Sequence, residues 1–251
     1  MCTFVMLRRP GNDWPVLIAA NRDEMINRPW KEPGRHWLDR PEVVAGLDVL
    51  AGGSWLGVND HGVVAGILNR QGSLGPSPGQ RSRGELVLEA LDHVDAQDAA
   101  DALSALDPAA YRTFNLIIAD NRDAFWLRHA DPTGTLPVTV KPLPVGLSMI
   151  ASGDLDDDTT RIKHYRPLFA SLTPPDPEAG NWMNWEQLLV DENYDPGDGQ
   201  RGAMKFDTGT GFATVSSTIV ALPSIEHPET KARIRFAGHH PEAVPFHDIK
   251  V

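Results

Sequence analysis

Thr3-Phe4-Val5-Met6-Leu7-Arg8, then Pro10-Gly11-Asn12-Asp13, then Trp14-Pro15-Val16-Leu17-Ile18-Ala19-Ala20, place two apolar runs of strand length on either side of a turn composition. The pattern predicts a β-hairpin. Two residues flank it in a telling way. Cys2 stands immediately before the first strand, and Asn21-Arg22-Asp23-Glu24 closes the second. In a hairpin the end of the second strand lies beside the start of the first. Arg22 and Asp23 are therefore expected within reach of Cys2. Taken alone, Asn-Arg-Asp-Glu also reads as an ordinary polar turn after a strand.

Working outward, Ser54–Val58 and Val63–Leu68 flank Asn59-Asp60-His61-Gly62, a second hairpin signal. Residues 71–81 form a loop, after which the apolar period changes. Ser82 with Glu85 three residues on has capping-box spacing ahead of Leu86, Val87, Leu88, Ala90 and Leu91. Ala99–Leu106 reads as another helix. Phe114–Ala119 and Ala124–Arg128 read as strands around Asp120-Asn121-Arg122-Asp123. In the second half, Pro137–Leu143 and Gly146–Ile150 look extended. Thr159–Leu168 and Trp182–Val190 look helical, and Phe212–Leu222 and Ala232–Ala237 are closing strands. The alternation of strand and helix blocks predicts an α+β fold with mainly antiparallel sheets, read as one domain over residues 1–251.

The 251 residues carry a formal net charge of −11 and 41% apolar residues. That balance argues against nucleic acid or an anionic membrane surface as a partner. The apolar runs fall far short of the ~20 residues of a membrane span. No basic and apolar leader opens the chain, and a single cysteine allows no internal disulfide. The expected location is the cytoplasm. The nine histidines show no zinc spacing, and Asp154–Asp158 lacks the calcium-loop pattern, so no metal is assigned.

Chemistry concentrates on Cys2, the only cysteine. Its side chain is small enough for the methionine ahead of it to be clipped off. Cleavage would leave a thiol and a free α-amine on one residue. The amine's ordinary pKa, about 7.7–8.0, suits it to take the thiol proton near neutral pH. Arg22 would favour thiolate, and Asp23 would hold or orient the amine. Asn69 ends an apolar strand at a glycine-containing loop. Its amide is placed either to donate to a developing oxyanion or simply to cap the strand end.

Cys2, Asn21-Arg22-Asp23-Glu24, Trp55-Leu56-Gly57-Val58-Asn59, Gly62-Val63-Val64-Ala65 and Arg81-Ser82-Arg83-Gly84-Glu85-Leu86 together resemble the NRDE family, also called transport and Golgi organisation 2. The resemblance runs from Cys2 to about Val94, and more weakly to the C-terminus. Several of the same segments resemble the penicillin V acylase and choloylglycine hydrolase group of N-terminal nucleophile hydrolases. That second resemblance implies a four-layer αββα sandwich and attack of a mature N-terminal cysteine on an amide or thioester of a small acyl substrate. It implies Cys2, Arg22, Asp23 and Asn69 as catalytic residues, with no cofactor. The NRDE resemblance implies an alternative, a non-catalytic haem or lipid/acyl-CoA carrier or chaperone on the same scaffold. Two departures stand out. Met149 and Val215 occupy places where relatives commonly carry asparagine and arginine.

Overall fold

The opening hairpin forms. β1 (Thr3–Arg8) pairs antiparallel with β2 (Val16–Met25), with Thr3 opposite Asn21 and Arg8 opposite Val16. Gly11 takes the positive φ that the turn requires, +84°. β2 runs well past its apolar stretch. Asn21, Arg22 and Asp23 lie inside the strand and are buried, so the tetrapeptide is strand rather than turn. Asn21 and Asp23 survive burial because their side chains find hydrogen-bond partners.

The computed structural model describes residues 2–197 and 199–251. They fall into two compact units. The first runs through Arg28 and returns over Pro144–Lys250, and the second is Pro29–Leu143. The first unit adds β10 (Gly146–Ile150), β11 (Phe212–Leu222), β12 (Arg233–Gly238) and β13 (Val244–Ile249). Its six strands run in the order β10-β1-β2-β11-β12-β13. Helices α3 (Thr160–Ser171) and α4 (Met183–Leu189) cover one face of that sheet. There Ile162, Tyr165, Phe169, Trp185 and Leu189 close over Val5, Leu17, Ala19, Met149 and Ile219. The fully buried members supply most of the stabilisation, about 1.5–3 kcal/mol for each large side chain taken from water.

The second unit is a seven-stranded antiparallel meander from β3 to β9. Its strands are β3 (Trp30–Gly34), β4 (Val43–Asp48), β5 (Leu56–Asn59), β6 (Val64–Asn69), β7 (Phe114–Ala119), β8 (Ala124–His129) and β9 (Thr139–Pro142). Helices α1 (Gly84–Leu91) and α2 (Ala96–Ser104) pack their apolar faces on Val43, Ala45, Ala65, Leu116 and Ile118. The expected α+β class with two antiparallel sheets is the one adopted.

The capping box at α1 does not form. The helix is capped at Arg83 without a side-chain bond. Ser82 Oγ accepts only from Gly84 N–H at 3.3 Å, while Glu85 accepts from the Tyr111 hydroxyl at 2.6 Å. A tertiary partner has drawn the glutamate away from the helix end. Among the described residues no helix is long and apolar enough to cross a membrane.

Candidate active site

Cys2 sits at the head of β1, where the ladder with β2 runs out. Its sulfur accepts from Asp23 N–H at 3.4 Å and donates to Asp23 C=O at 3.7 Å. The thiol thus takes the place of a peptide group on the edge of the last β2 residues. Burial first, and then the Asp23 carboxylate, push the thiol pKa above its ordinary value. The resting sulfur is a neutral thiol.

Strand alternation sorts the surrounding side chains. Carried back one residue from Thr3, it puts Cys2 on the sheet face that Arg22 occupies. Ser216 faces Arg22 from β11 and is buried. Its hydroxyl has no partner among the described residues. Thr3, Asn21 and Asp23 project to the opposite, helix-covered face. There the Asp23 carboxylate accepts from Thr214 Oγ1 at 2.7 Å and pairs with Arg161 of α3 at 3.2 Å. Both partners of that ion pair are buried, at 2% and 0% side-chain exposure. A β-bulge between Thr214 and Ser216 sits opposite the Arg22–Asp23 step. The extra residue is Val215, whose carbonyl accepts from His239 N–H at 2.8 Å. Bulges re-aim side chains where a ladder must break.

A second polar chain starts at Asn21. Its amide nitrogen donates to the carbonyls of Leu189 (2.8 Å) and Met204 (2.9 Å), which spends both N–H bonds and fixes the amide orientation. Asn21 Oδ1 must therefore accept the Ser217 hydroxyl, 2.6 Å away. Ser217 has only one proton, so it accepts from His239 Nε2–H at 2.8 Å. The imidazole is held neutral in one tautomer. Its pKa is pushed down to about 4 by burial, then by Lys205 and His240. His239 lines a cavity of about 390 Å³ together with Lys205, Phe206, Asp207 and His240.

The structure thus joins Cys2, Arg22 and Asp23 at one strand end. Asn69 lies in the other unit, closing β6 opposite Phe114. Met149 packs into the apolar core under α3 and α4. A side chain at that position serves the helix face rather than the face of Cys2.

The chain matches the family model "Transport and Golgi organisation 2" over residues 1–198. It belongs to that family. Transport and Golgi organisation 2 homologues from mouse and human are 38% and 33% identical to it, over 121 and 149 residues. These matches cover 43% and 55% of this chain, and 40% and 51% of the homologues. The chain therefore spans about half the length of the curated relatives it matches. Two solved structures share the fold of this transport and Golgi organisation 2 family member. One is a cysteine-to-alanine mutant of conjugated bile acid hydrolase from Clostridium perfringens. It has a TM-score of 0.54 and 11% identity, and the match covers 100% of this chain and 97% of that one. The other is the Caenorhabditis elegans N-acylethanolamine-hydrolyzing acid amidase orthologue. It has a TM-score of 0.53 and 14% identity, with 87% and 92% covered. The likeness is one of fold alone.

Sequence reading missed Arg161, Ser217 and His239 as parts of this cluster. Arg161 carried a signal. It sits four and eight residues before Tyr165 and Phe169, on the buried stripe of α3. A cation on an apolar stripe needs a buried carboxylate to meet it.

Proposed function

We propose that this transport and Golgi organisation 2 family member is an N-terminal cysteine hydrolase of a small acyl amide, with a thioester as the alternative substrate. After removal of Met1, the Cys2 α-amine, directly or through a water, takes the thiol proton. The sulfur then attacks the carbonyl, the C–N bond breaks, and the proton leaves with the amine. Water next hydrolyses the resulting thioester and restores the thiol. Arg22 and Asp23 set the charge state of the amine and thiol. Asn69, carried over by motif from the acylase resemblance, is the proposed oxyanion donor.

One observation carries the reading: the only cysteine stands at the head of β1, bracketed by the main chain of Asp23. A thiol held protonated there needs a base to become a nucleophile, and a processed residue supplies one on itself. The names of the two solved neighbours, a bile acid hydrolase and an amidase, suit the same chemistry.

The test is intact-mass analysis of the processed protein with activated acyl amides, beside turnover of any amide that reacts. An acyl adduct on Cys2, with turnover abolished in Cys2→Ala, is expected. Full turnover in Cys2→Ala, or a haem Soret shift lost with Cys2 and no acyl adduct, would replace catalysis with carriage.

A further inference from the structure

Arg161 is tied into the Cys2 strand end through both of its terminal nitrogens. Its Nη1 donates to Thr3 Oγ1 at 2.6 Å and to Asp23 Oδ2 at 3.2 Å. Its Nη2 donates to the Arg201 carbonyl at 2.7 Å, and the guanidinium lies over the Phe206 ring at 5.4 Å. Thr3 is bonded in sequence to Cys2. Asp23 supplies both main-chain groups that touch the sulfur. One buried cation therefore pins the two residues that locate the thiol, and ties both to α3 and to the 201–206 segment. The Thr214 hydroxyl completes the arrangement. It gives its proton to Asp23 and takes one from Phe206 N–H at 3.3 Å.

We propose that Arg161 is the positioning residue of the Cys2 site, fixing the Asp23 carboxylate on the helix face and thereby setting both the place and the protonation of the thiol. The proposal rests on Cys2 being the working group of the proposed function. Around the thiol, Asp23 and Glu24 on β2 oppose thiolate formation, and the terminal amine favours it. Arg161 stands behind Asp23 and offsets its charge. Without Arg161, nothing on α3 offsets Asp23, and its peptide groups lose their anchor to that helix.

The experiment is the pH profile of Cys2 alkylation by iodoacetamide, read by intact mass, in which the single cysteine is the reporting thiol. Arg161→Gln is expected to raise the apparent thiol pKa by about one unit, which is about tenfold slower alkylation at pH 8. Arg161→Lys keeps the charge and is expected to recover most of that loss. A merely structural role would lower the melting temperature and leave the thiol pKa of the folded variant unmoved. An unchanged profile in folded Arg161→Gln overturns the proposal. Should that variant fail to fold, Thr3→Val carries the test. It is near-isosteric and cuts the link from the guanidinium to the neighbour of Cys2, with alkylation expected about threefold slower at pH 8. An unchanged rate there likewise overturns it. These rates concern the thiol alone. A chain that hydrolyses no amide would sink the hydrolase reading and leave this result standing.

Discussion

His239 shows how one residue's environment becomes a pH dependence. Folded, its pKa lies at about 4, because burial and the charges of Lys205 and His240 oppose protonation. Unfolded, it returns to the ordinary histidine value near 6.5. Between those values the unfolded chain binds a proton that the folded chain refuses. The contribution of His239 is therefore fully present above about pH 6.5 and is lost as pH falls toward 4. Allowing for its partial exposure, the loss is about 2 kcal/mol. Urea denaturation at pH 7.5 and pH 4.5 should show His239→Gln losing less stability than the parent over that interval. An identical loss in both would mean that His239 titrates normally. Cys2 works in the opposite direction on the pH axis. A raised thiol pKa contributes stability below the ordinary thiol pKa that is lost as pH rises through the folded value.

At the scale of elements, the second unit depends on close approach between strands and helix. Gly57 of β5 faces Ala45 of β4, and a Cβ on Gly57 would overlap the Ala45 methyl and come within 3.0 Å of Leu91 Cδ1 on α1. Gly57→Ala is therefore expected to cost about 1–3 kcal/mol as overpacking. The midpoint of chemical denaturation measures it, and a change within error would show that β5 can move away from the helix. The same element explains what the sequence made legible. Strands with a buried apolar face, such as Val64–Asn69 and Phe114–Ala119, announce themselves through their runs. β3 did not, because Trp-Lys-Glu-Pro-Gly carries a proline, a bulge and a single buried residue at the edge of its sheet. β13 is hidden for the same reason, with Pro245 and Asp248 on the edge of the six-stranded sheet. Of the candidate site, Cys2, Arg22 and Asp23 were legible because hairpin pairing is local. The Arg161–Asp23 pair spans 138 residues of chain, and nothing in local pattern encodes a partner at that distance.

For the molecule as a whole, the proposed chemistry makes the processed terminus part of the site. An N-terminal extension that cannot be removed would turn the Cys2 amine into an amide, which accepts no proton near neutral pH. General-base assistance is worth ~10²–10⁴-fold, so the extended protein should lose activity by at least that order. Extended, cleaved and Met1-retaining forms compared in one assay provide the measurement, and equal turnover in all three would reject the mechanism. The bond pair between Cys2 and Asp23 has a bearing on such work. An acylated sulfur has no proton to give and is bulkier, so it must release the Asp23 carbonyl and loosen its hold on the Asp23 amide. The Asp23 N–H is thus a native spectroscopic tag for the state of the cysteine. Its chemical shift and its hydrogen-exchange rate report whether the thiol is free, alkylated or acylated, before any substrate has been identified.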